Sequence, residues 1–181
     1  MGLFTRKASQ PELDPAIANA LELAKGERVL AFAVDDHTGA HVVATTYALA
    51  VVTSTPVAST AERAVRRRWL SVDAGAWEPE TATLTVTWAD GMRAGQWSFR
   101  DQATLLPETL RERVQASVVL TTGLTLGDRR SGRVAIRQDF ASRELIAQTI
   151  LGRYTHADDP EVQAHIQAAL AHLRDQVGLP G

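Results

Sequence analysis

The sequence contains no cysteine among its 181 residues. Disulfide bonds, catalysis by a thiol and zinc sites that use cysteine are therefore excluded. A chain of this length can bury a sizeable core without such cross-links, and its 45 % hydrophobic and 22 % charged residues are typical of a globular protein. The lack of cysteine is compatible with a reducing cytoplasm, which is the location that we expect.

The sequence also lacks long hydrophobic runs and a large excess of charge of either sign. No apolar run approaches the roughly 18 residues of a transmembrane helix, and residues 1–9 lack the apolar core of a signal peptide. Leu3 and Phe4, next to Arg6 and Lys7, allow a weak peripheral contact with a membrane surface. The formal net charge of −2 argues against a nucleic-acid partner, because domains that bind nucleic acid usually carry a clear positive excess.

Motifs that identify enzymes are missing as well. Residues 123–132 contain three glycines, but they match neither glycine-rich phosphate-binding pattern and they precede a predicted strand rather than a helix. There is no G-x-S-x-G nucleophile motif. His165 and His172 are too far apart on one helix to bind the same ion, and His37 and His41 flank a polar turn. We therefore predict no enzymatic activity, no cofactor and no metal site. A small hydrolase whose site is assembled across the fold is the alternative class.

Apolar periodicity and turn signals predict an α+β fold in which antiparallel strands dominate. The predicted helices span about 15–25, 107–116 and 160–177, the last with Asp159 as its cap and Gly178 at its end. The predicted strands span about 28–36, 40–53 (divided near Thr45), 66–77, 82–88, 95–101, 117–126, 133–139 and 144–150, with a polar loop at 54–62. Neighbouring strands follow one another through short turns, which argues against a doubly wound βαβ enzyme fold.

The most highly charged stretch of the chain reads "RRRWLSVDAGAW" at residues 66–77. Leu70 and Val72 alternate with polar residues there, which predicts a strand. The cluster of Arg63, Arg66, Arg67 and Arg68 next to Trp69 is the candidate binding site. Each arginine near an anionic surface contributes about 1 kcal/mol, and four together give only about millimolar affinity. Stacking of a base on Trp69 would add about 1–3 kcal/mol. The alternative is a charged strand entrance that keeps a sheet edge from pairing with other chains.

The four tryptophans all lie in the predicted β-rich part of the chain. Trp88 and Trp97 alternate with polar residues and share their faces with apolar side chains, so we expect both in the core. Trp77 ends a predicted strand on its less apolar face, where it would seal one end of a small barrel. Exposed aromatic side chains that bind a ligand are the alternative for these positions.

Residues 26–116 resemble uncharacterised actinobacterial proteins that look like pleckstrin-homology (PH) domains. The resemblance rests on the "GER" at residues 26–28, on Ala44-Thr45 and Ala48-Leu49, on Trp69, Val72 and Trp77, and on Leu84, Val86 and Trp88. It implies a small, bent antiparallel sheet or barrel closed by a helix, in a class where many members bind proteins or lipids and perform no chemistry. The first hairpin turn, "DDHTG" at residues 35–39, is acidic where members that bind phosphoinositides are basic, which argues against that ligand.

These observations predict three segments. They are an N-terminal arm with a short helix at 1–25, a PH-like β domain at 26–116, and a three-stranded sheet with the C-terminal helix at 117–181. We expect a non-enzymatic binding or scaffold module whose main partner is a protein. The alternative is an anion-binding protein that uses Arg63 and Arg66 to Arg68 for an anionic lipid or a nucleic acid. Exposed strand edges also predict a homodimer that forms through the edge of a sheet.

Overall fold

The structure is a computed structural model, and it describes residues 12–53, 63–127 and 129–178, without the side chain of Arg63. The predicted loop at 54–62 and most of the predicted N-terminal arm lie outside the described residues. The described part of the chain contains three α-helices, α1 Pro15–Ala20, α2 Leu106–Ser117 and α3 Pro160–Val177. Its ten strands are β1 Val29–Val34, β2 His41–Thr45, β3 Ala48–Thr53, β4 Arg63–Arg68, β5 Val72–Glu78, β6 Thr83–Trp88, β7 Gly95–Ser98, β8 Val118–Gly123, β9 Gly132–Gln138 and β10 Leu145–Leu151.

The ten strands form three open sheets, and none of these sheets of the described residues closes into a barrel. One sheet has the order β1-β2-β3-β4, a second has β5-β6-β7, and a third has β10-β9-β8. The pairing is antiparallel between β1 and β2, between β2 and β3, and between β9 and both of its neighbours. The predicted α+β class, with mainly antiparallel strands and a C-terminal helix, is confirmed.

The described residues divide into two compact units. The first unit comprises the described residues up to Arg67 together with Gly75–Thr85 and Gly95–Leu110, and the second comprises Arg68–Ala74, Val86–Ala94 and the described residues from Arg111 onward. The four-stranded sheet and α1 belong to the first unit. The β8–β10 sheet and α3 belong to the second unit, while β5, β6 and α2 contribute residues to both.

The first unit is organised around the buried strands β2 and β3. Ile17 and Leu21 at α1 pack against Val43 and Val52 of these strands. The carboxylate of Asp14 caps α1 by accepting a hydrogen bond from the backbone N–H of Ala16 at 2.8 Å. The helix ends at Ala20, earlier than the predicted residue 25, because Glu22 adopts a φ of 46° that a right-handed helix cannot accommodate.

The second unit is built from the β8–β10 sheet, which α3 covers on one face. Val162, Ile166, Leu170 and Leu173 of the helix share a core with Ile136 and other apolar residues of the sheet. Asp159 accepts a hydrogen bond from the backbone N–H of Glu161 at 2.9 Å, and Gly178 ends the helix with a φ of 70°. The predicted cap and end of this helix are confirmed.

The prediction of one continuous strand at 66–77 is wrong. β4 ends at Arg68, a single 3₁₀ turn follows at Trp69–Ser71, and β5 begins at Val72. Trp69 and Leu70 are consecutive and both buried, with exposures of 1 % and 9 %. A strand would direct them to opposite faces, whereas the turn buries both of them.

The tryptophan predictions also need correction. Trp88 and Trp97 are half-buried rather than part of the core. Trp77 is 38 % exposed, and its ring stacks on that of Phe99 in the first unit, with 6.4 Å between the ring centroids. Three of the four tryptophans are therefore more accessible than a core position would be, and Trp69 alone among the four is fully buried.

Candidate functional site

Arg66, in the predicted binding cluster, is held inside the first unit by four hydrogen bonds. Its Nη2 donates to both carboxylate oxygens of Glu27 at 2.5 Å. Its Nη1 donates to the backbone carbonyl oxygens of Leu21 and Glu22 at 2.9 and 3.0 Å. The Arg66 side chain is 28 % exposed and the Glu27 side chain is 0 % exposed. The guanidinium group therefore serves first as the partner of a buried carboxylate.

Glu27 remains ionised because its other neighbours also donate to it. The Thr45 hydroxyl donates at 2.5 Å and the backbone N–H of Ala24 donates at 3.0 Å. Burial raises the pKa of Glu27, but the hydrogen bonds from Thr45, Arg66 and Ala24 outweigh burial and leave the pKa below its ordinary value. A buried, ionised carboxylate requires a cation beside it, which explains why an arginine occupies position 66.

The other residues of the predicted cluster present less accessible positive charge and aromatic surface to an anion than the sequence suggests. Within the second unit Arg68 forms an ion pair with Asp139, whose side chain is 1 % exposed, while 58 % of the Arg68 side chain is exposed. Arg67 is half-buried, and the side chain of Arg63 lies outside the described residues. Trp69 is 1 % exposed. Its ring therefore presents no face for stacking, contrary to the role considered for it.

A buried arginine that the sequence did not reveal, Arg137 of β9, organises the segment that follows Arg68. It is 2 % exposed, and it donates to the backbone carbonyl oxygens of Trp69, Leu70 and Val72 at 2.9, 3.1 and 2.7 Å. Its Nε also donates to the Ser117 hydroxyl at 3.0 Å. Burial lowers the pKa of Arg137 to about 10. The arginine thus fixes the 3₁₀ turn of the second unit by binding two carbonyl oxygens within the turn and one at the residue that follows it.

The first unit contains an open cleft of about 440 Å³ that the sequence did not predict. Hydroxyl and amide side chains form part of its lining, among them Thr83 and Thr85 of β6 and Gln96 of β7. The Trp97 ring provides its apolar surface. Charged and titratable side chains complete the lining, namely His37, Arg100 and Glu78. The cleft therefore offers an indole together with donors, acceptors and charges of both signs.

The position of Trp97 in this cleft is set by the glycine two residues earlier. A Cβ atom added to Gly95 would collide with the six-membered part of the Trp97 ring. The ring therefore lies directly against the backbone of β7, and only glycine at position 95 permits this approach. Gln96 Nε2 donates to the Thr85 hydroxyl at 3.3 Å, which orients the amide over the neighbouring strand.

The acidic turn after β1 secures β7 at one end of the cleft. Asp35 accepts from the backbone N–H of Ser98 at 2.9 Å, and Asp36 accepts from the backbone N–H of Arg100 at 2.7 Å. Burial raises the pKa of Asp35, but hydrogen bonds from Thr38 and Ser98 reverse this and leave it below the usual range. The N–H of Arg100 is the main cause of the lowered pKa of Asp36. Both carboxylates therefore serve to hold the strand.

Several further observations bear on function. In the described ranges, no group of three histidine, aspartate or glutamate side chains is placed to hold a metal ion. No helix in the described part of the chain combines the length and hydrophobicity that crossing a membrane requires. No family model, curated protein or solved structure matches this chain. The chemistry of the site is therefore the basis for inferring a function.

Proposed function

We propose that this chain is a cytoplasmic binding module without catalytic activity, and that the cleft of its first unit receives a segment of a protein partner. The observation that carries this proposal is the combination of a fixed Trp97 ring with the polar side chains of Thr83, Thr85 and Gln96 in one open cleft. Tryptophan is enriched among the residues that dominate the energetics of protein interfaces, because it buries a large area with few rotatable bonds.

The polar groups of the cleft match those of a peptide. A threonine hydroxyl and a glutamine amide each donate and accept hydrogen bonds, as the backbone of an extended peptide also does at every residue except proline. His37 and Arg100 supply positive or titratable groups, and Glu78 supplies a negative one. Such mixed charge suits a neutral or zwitterionic segment better than a polyanion. The resemblance to PH-like proteins, many of which bind partners without chemistry, agrees with this proposal but stays a prediction.

The arginine stretch is a weaker basis for the function. Arg66 and Arg68 each neutralise a carboxylate whose side chain is at most 1 % exposed. An anion at either arginine would compete with that carboxylate, so the net attraction falls below the about 1 kcal/mol per arginine expected from sequence. We therefore place the binding function at the cleft rather than at the cluster.

The proposal is tested by comparing proteins captured from a native lysate by the full chain and by two paired variants. Thr85→Lys places a long cationic side chain in the cleft. Thr87→Lys makes the same change on the same strand, at an exposed threonine that does not line the cleft. We expect Thr85→Lys to abolish capture of the partner and Thr87→Lys to preserve it. Capture that is equal for both variants, or no specific capture by the unmodified chain, would contradict the proposal.

A further inference from the structure

We propose that β8 is a self-association edge, which pairs antiparallel with β8 of a second copy of the chain. β8 is the last strand of the β10-β9-β8 sheet. The inference does not depend on the cleft, because β8 belongs to the second unit and the cleft lies in the first. It follows from a comparison of the six edges that the three sheets of the described residues present.

Three of the six edges carry a device that discourages pairing with another chain. The outer edge of β1 is covered, since Gln102 bonds both backbone groups of Val34, at 2.8 and 2.6 Å, and Thr104 donates to the Phe32 carbonyl at 2.8 Å. The edge strand β4 reads "RAVRRR", so that pairing with itself would oppose arginines. β7 has four residues, and Ser98 uses its backbone N–H and C=O on the turn at Asp35 and Asp36. Coverage, charge and short length are the usual ways of protecting a sheet edge.

Two further edges are also unsuited to pairing. β5 contains the charged residues Asp73 and Glu78, and its Val72 carbonyl already accepts a hydrogen bond from Arg137. β10 contains no charged residue, but it is half-buried along its entire length. Neither strand combines an uncharged sequence with an exposed edge.

The edge strand β8 combines an uncharged sequence with an exposed edge. Its sequence, "VVLTTG", contains no charged residue and no proline, and four of its six residues are β-branched. Val118 and Val119 are 36 % and 42 % exposed, and Thr121 and Gly123 are exposed as well. A Cβ atom added to Gly123 would have no neighbour within 4 Å. The register with β9 shifts between Val118 and Leu120, and the stretch from Leu120 to Gly123 pairs with β9 in regular register.

The occupant that best fits this edge is an identical strand. Antiparallel pairing of all six residues of β8 with the same strand of a second copy places Val119 opposite Thr122 and Leu120 opposite Thr121, and such uncharged, largely β-branched residues suit neighbouring strands. It introduces no like-charge contact, in contrast to pairing at β4. The operation is a two-fold axis perpendicular to the sheet, which closes the assembly at two copies. The continuous sheet would then have the order β10-β9-β8-β8-β9-β10, with both copies of α3 on the same face.

The expected dimer is weak. A strand of six residues covers well under the roughly 800 Å² per partner that a stable interface buries. Because the buried area is small, it offsets little of the translational and rotational entropy that is lost on association. We therefore expect a dissociation constant on the order of 0.1 mM, so that association becomes visible only in concentrated solution.

Sedimentation equilibrium of the full chain, from about 10 μM to about 1 mM, tests this inference across the expected dissociation constant. We expect the mass to rise from that of the 19.6 kDa monomer toward twice this value. Val119→Lys should weaken association at least about tenfold, because it adds two cations to one edge. The matched control is Val65→Lys, which makes the same change at a valine of β4 that is 57 % exposed and should leave association unchanged.

Amide hydrogen exchange of the unmodified chain at the two ends of this concentration range gives an independent readout. Protection should increase with concentration in β8 and not in β1 or β4. A monomer at every concentration would overturn the inference. So would a dimer that Val119→Lys and Val65→Lys affect equally, or a dimer whose formation leaves exchange in β8 unchanged.

Discussion

Replacement of Arg66 by alanine should destabilise the protein rather than merely remove a surface charge. The change deletes both hydrogen bonds that Arg66 Nη2 makes to the carboxylate of Glu27, and also those that Nη1 makes to the carbonyls of Leu21 and Glu22. Because the Glu27 side chain is 0 % exposed, its charge would remain buried without a cation. Removing one partner of a buried ion pair typically costs about 3–5 kcal/mol. We expect a loss in this range.

The assay is urea unfolding followed by circular dichroism, with the slope of the transition checked for agreement between variants. Arg93→Ala is a suitable control, because Arg93 is an exposed arginine and surface changes usually lie within about 0.5 kcal/mol. The Arg66→Ala/Glu27→Gln double variant should recover part of the lost stability, since glutamine leaves no buried charge. A loss below about 1 kcal/mol for Arg66→Ala, or no recovery in the double variant, would refute the assignment of Arg66 as a structural cation.

Three further predictions concern Glu27, Arg137 and Gly95. Hydrogen bonds hold the pKa of Glu27 below its ordinary value of 4.5 despite burial, so its contribution to stability is complete above about pH 4.5 and is lost as the pH falls through the folded-state pKa. Glu27→Gln should therefore reduce the decrease in unfolding free energy at acid pH. An unchanged dependence of the unfolding free energy on pH would contradict this. Arg137→Lys keeps the charge but loses the planar guanidinium group that reaches three carbonyl oxygens. Urea unfolding should therefore show a free energy of unfolding that is lower by about 2–4 kcal/mol. A stability equal to that of the parent would show that the guanidinium group is dispensable. Gly95→Ala should displace the Trp97 ring, which we expect to see as a shift in tryptophan emission with weaker partner binding; unchanged emission would mean that the ring does not rest on this glycine.

Local signals in the sequence predicted much of the fold. Asp159, Pro160 and Gly178 mark both ends of α3, because capping depends on residues adjacent in sequence. The division of residues 40–53 near Thr45 also agrees with β2 and β3. The predicted strand at 66–77 failed because alternation of Leu70 with its neighbours continues through a turn that depends on a distant residue. Arg137 lies 65 to 68 positions from the carbonyls that it binds, a relation that no local pattern contains.

The candidate site was predicted far less well than the fold. The density of charge in the sequence predicted a binding site at Arg66 and Arg68. It did not reveal that Glu27 and Asp139 are buried beside these arginines. The cleft draws its lining from separate parts of the chain, including the turn at His37 and the strands β6 and β7. In the structure, Gly95 leaves room for the Trp97 ring against the backbone of β7. The sequence shows only a glycine in a short strand, and glycine occurs in strands for several other reasons. Tertiary proximity, rather than composition, distinguishes the cleft from the cluster.

One titration distinguishes binding of the partner at the cleft from binding at the arginine stretch. A peptide selected from a displayed library against the full chain is titrated into the parent, Thr85→Lys, Thr87→Lys and Arg68→Ala, and the dissociation constants are compared by calorimetry. We expect Thr85→Lys to weaken binding at least about tenfold, roughly 1.4 kcal/mol, while Thr87→Lys and Arg68→Ala bind like the parent. Binding that survives in Thr85→Lys and is lost in Arg68→Ala would contradict this expectation.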